Sequence, residues 1–206
     1  MARRKYIYFI SLTVLLIFHI VGLYLFLNDP HSSELAWLNM ILCAVMLFIN
    51  AEKYEMEFWM LLGIFIGGYV IEAIGVKTGY LFGNYEYDTA LGTKLLSVPL
   101  TIGLNWYCIV VISVSLVRRM KADKWLRALS AAAFGTGMDY LIEPVAIHYN
   151  FWHWNGTGIP IYNYICWFAF LFIFSLVYLR YTEKRNPLGI PLFIIWFLFF
   201  IILNFA

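Results

Sequence analysis

Three carboxylic acids stand inside apolar stretches where no loop claims them: Glu72, Asp139 and Glu143. Asp139 and Glu143 are four residues apart, so on a helix they share one face. Two carboxyl groups that close in a medium of low dielectric do not both ionise easily, so one is expected to keep its proton near neutral pH, an acid beside a base. Pro144 follows directly and cannot donate to the carbonyl of Tyr140, so a free acceptor and a kink are expected one turn below the pair. The plainer reading is that these carboxyls reach water at an interface or simply bond to neighbouring helices. His19, Asn39, Asn105 and Asn163 also interrupt apolar runs. Each alone is more often a hydrogen-bonded packing group between helices.

What is missing narrows the chemistry. Cys43, Cys108 and Cys166 lie in separate apolar runs without paired spacing, so neither a disulfide framework nor a zinc knuckle is indicated. His148 and His153 are five apart in a turn-rich segment, off the helical spacing of zinc motifs, and no metal is expected. The four histidines form none of the clustered boxes that di-iron oxygenases need, and no GxGxxG opens a helix for a dinucleotide. Paired Asp-rich motifs for magnesium and a diphosphate are absent, as is a lysine in the last apolar run to carry a retinal Schiff base. Carboxylate chemistry without a cofactor remains.

The elements that must position these acids follow from composition. Of 206 residues, 63% are hydrophobic, 20% aromatic and only 13% charged, against roughly a quarter charged in a soluble protein. The expected solvent is a lipid bilayer. A net charge of +2 without a basic stripe gives no footprint for nucleic acid. Seven apolar runs approach the roughly 20 residues of a spanning helix: 6–27, 34–51, 57–76, 97–117, 125–147, 160–181 and 187–206. The expectation is an all-α, multi-pass protein of the cytoplasmic membrane, a bundle of about seven helices forming a single domain over residues 1–206. The first run follows Arg3, Arg4 and Lys5 but is long and lacks a small-residue cleavage site, so it reads as a retained helix. Alternating connections put twelve basic residues on one side and only Lys77 and Lys94 on the other, a positive-inside bias. The amino terminus is thus expected in the cytoplasm, with the carboxyl terminus and the loops 77–96 and 148–159 outside.

Counting helical rise from the outer ends, Glu72 and Glu143 lie roughly 6 Å deep, and His19 and Asp139 roughly 12 Å. Asn39, Asn105 and Asn163 share that band, so polar groups from six helices meet at one level. Gly63, Gly67 and Gly68 on the third run, and Ala131, Ala132, Ala133, Gly135 and Gly137 on the fifth, make the acid-bearing helices slim and packable, hence central. The GxxxG of Gly63 and Gly67 suits packing within the bundle as well as a dimer. The seventh run reads as a lipid-facing wall. Tyr80, Phe82, Tyr85 and Tyr87 in one outer loop and Tyr149, Phe151, Trp152 and Trp154 in the other suit an interfacial belt or a lid over an apolar ligand, and their π faces can stabilise a cation.

The order of these residues also resembles a known family. Glu72-Ala-Ile-Gly-Val-Lys-Thr-Gly79, Phe82-Gly-Asn-Tyr-Glu-Tyr87, Asp139-Tyr-Leu-Ile-Glu-Pro144, Trp152-His-Trp154, Gly158-Ile-Pro-Ile-Tyr-Asn163 and Trp167 follow one another. The succession is similar to the CruF-type carotenoid 1′,2′-hydratases of bacteria and the related bisanhydrobacterioruberin hydratases of haloarchaea, from about Gly68 to Trp167. Members often read Asp-Pro where this chain has Glu143-Pro144, and some are longer. The resemblance implies addition of water across the terminal C1′=C2′ double bond of an acyclic or monocyclic carotenoid, such as lycopene or γ-carotene, with no cofactor. Asp139 or Glu143 would donate the proton, and Glu72 or the other carboxylate would handle water. Trp152, Trp154 and Trp167 would shield the cation, and Asn105, Trp106, Asn163, Tyr85 and Tyr87 would complete the substrate site. A membrane lycopene cyclase would use the same proton but exclude water, a carotenoid- or quinone-binding protein would do no chemistry, and a proton-coupled transporter would show repeats that are not found here.

Overall fold

Residues 2–156 and 158–206 are described by a computed structural model. Each apolar run falls on a helix: α1 (Ala2–Asn28), α2 (Ala36–Ile49), α3 (Tyr54–Thr78), α4 (Thr101–Val117), α5 (Lys124–His148), α6 (Ile161–Tyr181) and α7 (Gly189–Phe205). Three are long and apolar enough to cross a membrane, over Arg3–Asn28, Tyr54–Thr78 and Ile161–Tyr181. The apolar helices Ser33–Ile49, Thr101–Val117 and Gly189–Phe205 are shorter, and α5 carries Lys124, Arg127 and the two acids. Large apolar side chains stay exposed on the outer faces, among them Phe9, Ile66, Ile173 and Ile194. This is an all-α membrane protein.

The helix ends have local causes. Asp123 caps α5 by accepting from Leu126 N–H at 2.8 Å. Gly79 ends α3 in the left-handed region at φ 67°, donating to Gly75 C=O at 2.8 Å. A side chain there would meet Asn84 Oδ1 at 2.1 Å. α5 continues through Pro144 to His148. α4 starts at Thr101 rather than 97, because β2 (Lys94–Leu95) and β3 (Val98–Pro99) form a hairpin first. Its turn residues, Leu96 and Ser97, take φ of 51° and 69°, the geometry that matches strand twist in a two-residue loop. Tyr69 of α3 ties the hairpin down by donating to the carbonyls of Leu95 and Val98.

The centre of the bundle is α4, not the acid-bearing helices. Fifteen of its seventeen residues are buried, and α2, α3, α5, α6 and α7 all pack on it. The small residues of α3 and α5 are slim in order to receive this helix. A Cβ on Gly68 would lie 2.5 Å from Trp106, and one on Gly135 would lie 2.6 Å from Leu171 of α6 and 3.0 Å from Ile109. Gly63 faces open space while Gly67 faces Phe174, so the GxxxG pair does not act as one packing surface. α7 also departs from expectation. Ile194, Leu198 and Ile202 are exposed, as a lipid-facing wall requires, but Leu192 and Trp196 are buried inward.

The two ends of the bundle differ in chemistry. At one, Lys53 pairs with Glu183 at 3.2 Å, Lys184 pairs with Glu52, and Arg118 donates to Thr182 C=O at 2.8 Å. At the other, β1 (Tyr85–Tyr87) pairs antiparallel with β4 (Trp152–Trp154), joining the two aromatic loops.

Candidate active site

The β1–β4 ribbon organises the acids. Its register sets Tyr85 opposite Trp154 and Tyr87 opposite Trp152, with Glu86 opposite His153. Successive side chains of a strand point to opposite faces. Both tyrosines and Trp152 are buried and Trp154 is half-buried, while Glu86 and His153 face outward. The inward row donates to the carboxyls. Glu72, near the end of α3, accepts from Tyr85 Oη, from Tyr87 Oη at 2.9 Å and from Trp106 Nε1 at 3.0 Å. Glu143 Oε2 accepts from Trp152 Nε1 and Trp154 Nε1, each at 3.0 Å. Burial and the adjacent Glu72 carboxyl push the Tyr85 and Tyr87 hydroxyls well above the ordinary phenol range, so both stay protonated as donors.

Asn163 of α6 links the two acids of α5. Its Nδ2 lies 3.3 Å from Asp139 Oδ2 and 3.1 Å from Glu143 Oε1. Among the described residues Asp139 thus receives a single side-chain hydrogen bond, whereas Glu72 and Glu143 each receive three. All three acids are 2% exposed and line one polar recess of about 20 Å³, room for about one water molecule. Tyr85, Tyr87, Asn105, Trp152, Trp154, Asn163 and Trp167 share its wall, and Ile102, which the sequence did not single out, completes it. Trp106 stands behind the wall, stacked on Trp167 at 3.9 Å and 8°. No lysine, arginine or histidine lines the recess among the described residues.

A second space abuts the first. An apolar cavity of about 290 Å³ lies among α1, α2, α4, α5 and α7, and Ile102, Asn105 and Trp152 belong to both walls. Asn105 is 7% exposed, and its side-chain amide makes no hydrogen bond among the described residues. His19 and Asn39, expected at the level of the acids, line the apolar cavity instead of the recess. His19 Nδ1 donates to Leu15 C=O at 2.8 Å, which leaves Nε2 to accept from Asn39 Nδ2 at 3.4 Å. Sequence reasoning missed the contribution of α7, where Trp196, Phe199 and Phe200 line the cavity, because nothing in that uniformly apolar run marks one face. It also missed Glu57, buried at the far end of α3. Glu57 stands at the first residue of the run 57–76, where an acid at the interface is ordinary.

A bisanhydrobacterioruberin hydratase of Haloarcula japonica is 30% identical over 118 residues, covering 52% of this chain and 39% of the relative. The match thus takes in well under half of that protein's length. No solved structure matches. The profile of a family described as "carotenoid biosynthesis protein" matches residues 31–206, a stretch that holds Glu72, Asp139 and Glu143, both strands of the ribbon and six of the seven α-helices, and the chain belongs to that family.

Proposed function

We propose that this protein is a carotenoid hydratase, adding water across the terminal C1′=C2′ double bond of an acyclic end group such as that of lycopene or γ-carotene. The observation that carries this reading is the junction of two spaces: a polar recess sized for one water and lined by three carboxyls, wall to wall with an apolar cavity. Hydration needs both, one for the nucleophile and one for the alkene. A cyclase would have to keep water out of the place where this recess lies.

In this reading the trio, without a cation among its lining residues, carries at least one proton rather than three buried charges. Asp139 delivers it, because its carboxyl is the least engaged by donors. The alkene π pair takes the proton at C2′, forming a C–H bond and leaving a tertiary cation at C1′. The ring faces around the recess stabilise that cation. Water, oriented by the unengaged amide of Asn105, attacks C1′ and gives up a proton to Glu143 or Glu72, forming the tertiary alcohol. The proton returns to Asp139 from Glu143 one helical turn away, or from Glu72 through a water in the recess the acids share, and this restores the acid. Net, one water is added and no redox partner is used.

The chain in this reading crosses the cytoplasmic membrane seven times, with its basic end in the cytoplasm and the ribbon at the outer face. The distribution of twelve against two basic residues supports that orientation. Co-expression with a lycopene or γ-carotene pathway tests the activity. The expected product is heavier than the substrate by one water, and D139N cuts its yield about 10²- to 10⁴-fold. A product of unchanged mass would favour cyclisation, and an unchanged pigment would remove the enzyme reading.

A further inference from the structure

The apolar cavity has an inner end and a mouth. Its inner end is the wall of Ile102, Asn105 and Trp152 shared with the acid recess. Its other side reaches the surface of the bundle at Phe18 and Val21 of α1 and at Leu35 and Leu38 beside them, which are 39%, 50%, 50% and 38% exposed although they line the cavity. These four are apolar, two on α1 and two at the start of α2, and each belongs both to the cavity wall and to the outer surface. α1 packs on α2, α7 and the turn Pro30–Leu35 but does not rank among the neighbours of α4. Its link to α2 within the cavity wall is the 3.4 Å contact between His19 and Asn39.

Size decides how much of a ligand fits. An apolar cavity of about 150 Å³ is enough for benzene, so one of about 290 Å³ encloses roughly two such six-carbon units. A carotenoid is far longer. The rest of its chain therefore has to leave through the mouth, and the mouth opens onto lipid. Above the acids, the β1–β4 ribbon closes the opposite approach with Tyr85, Tyr87, Trp152 and Trp154.

We propose that one end of a linear isoprenoid hydrocarbon passes sideways from the bilayer between α1 and α2 into this cavity, with only its terminal segment enclosed and the remainder left in the lipid. The identity and length of the ligand rest on the hydratase reading; the opening rests on the exposure of the residues that line the cavity. Lateral admission delivers an apolar end directly to the shared wall at Asn105 without carrying it through water. It also commits the protein to one end of the substrate per binding event.

The test uses the full-length protein in detergent with lycopene as the probe. V21W and L38W narrow the mouth, and I173W places the same bulk on the exposed outer face of α6. Retained pigment is expected to fall about tenfold or more in the two mouth variants, equivalent to 1.4 kcal/mol, and to stay at the wild-type level in I173W. A V21C variant gives a readout that does not depend on tolerating tryptophan, because the native cysteines are buried. Bound lycopene should protect it from a bulky maleimide, and prior labelling should block uptake. Mouth variants that retain lycopene like wild type, or a V21C thiol that lycopene leaves unprotected, overturn the route while leaving the hydratase reading in place. Pigment lost on narrowing the mouth, where the wild-type protein retains lycopene without hydrating it, leaves the route standing and removes the hydratase reading.

Discussion

Helix α3 carries two buried glutamates, one near each end, and they are dressed almost alike. Glu72 accepts from two tyrosines and a tryptophan. Glu57 accepts from Tyr107 Oη at 2.6 Å and from Tyr178 Oη at 2.9 and 3.0 Å. Trp106 and Tyr107, consecutive on α4, turn one to each carboxyl. The surroundings differ. Glu72 faces two further carboxyls across a recess that borders an apolar cavity. Glu57 meets no second buried acid among the described residues, and the small groove beside it is lined by charged residues that reach the surface, including Glu52, Lys53 and Lys184. A buried carboxyl saturated by hydroxyl donors pins helices together, in this case α3, α4 and α6. Chemistry requires in addition a partner acid, a place for water and a path for an apolar substrate. Burial alone does not distinguish a lock from a catalyst.

The sharpest break in this comparison comes from the acids of α5. D139N and E143Q are each expected to cut hydration about 10²- to 10⁴-fold, the usual loss for a general acid or base, with folding preserved. Product mass in a lycopene-producing strain and thermal unfolding in detergent measure the two quantities. E72Q, which alters a carboxyl held by three donors, is expected to cost roughly ten- to a hundredfold in hydration, as for a hydrogen bond to a charged group of about 1.5–3 kcal/mol. E57Q reverses the pattern: hydration per folded molecule stays at the wild-type level while stability falls by about 1–3 kcal/mol. An E57Q protein that is stable but inactive would erase the distinction between the two clusters. G68A is expected to cost about 1–3 kcal/mol through overpacking, since its Cβ would sit 2.5 Å from Trp106. The displaced indole would weaken its bond to Glu72, so activity should fall with stability. Y178F is the smallest change, about 1 kcal/mol of stability with hydration untouched.

Much of this was legible along the chain. Glu72, Asp139 and Glu143 stood out because an ionisable group in an apolar run demands a reason, and Asn105 and Asn163 because they fell at the same depth. Tyr-Glu-Tyr and Trp-His-Trp carried a period-two signal, yet each loop was read alone, as a belt or a lid. Pairing the two requires segments more than sixty residues apart to meet, and no local pattern specifies a partner. Glu57 and α7 escaped for the opposite reason. Glu57 sits where an interfacial acid is ordinary, and the inward row of α7 has the same apolar character as its outward one.

Composition and hydropathy alone determined that the solvent is lipid, that helices fill the chain and that few acids are carried inside them, because each of these follows from the transfer cost of individual side chains. Only the tertiary structure decided that α4 takes the centre, that a two-strand ribbon hands its donors to two carboxyls, and that the acids open onto an apolar cavity while Glu57 does not. Those outcomes depend on which surfaces fit one another, and fit between distant segments is a property of the packed whole.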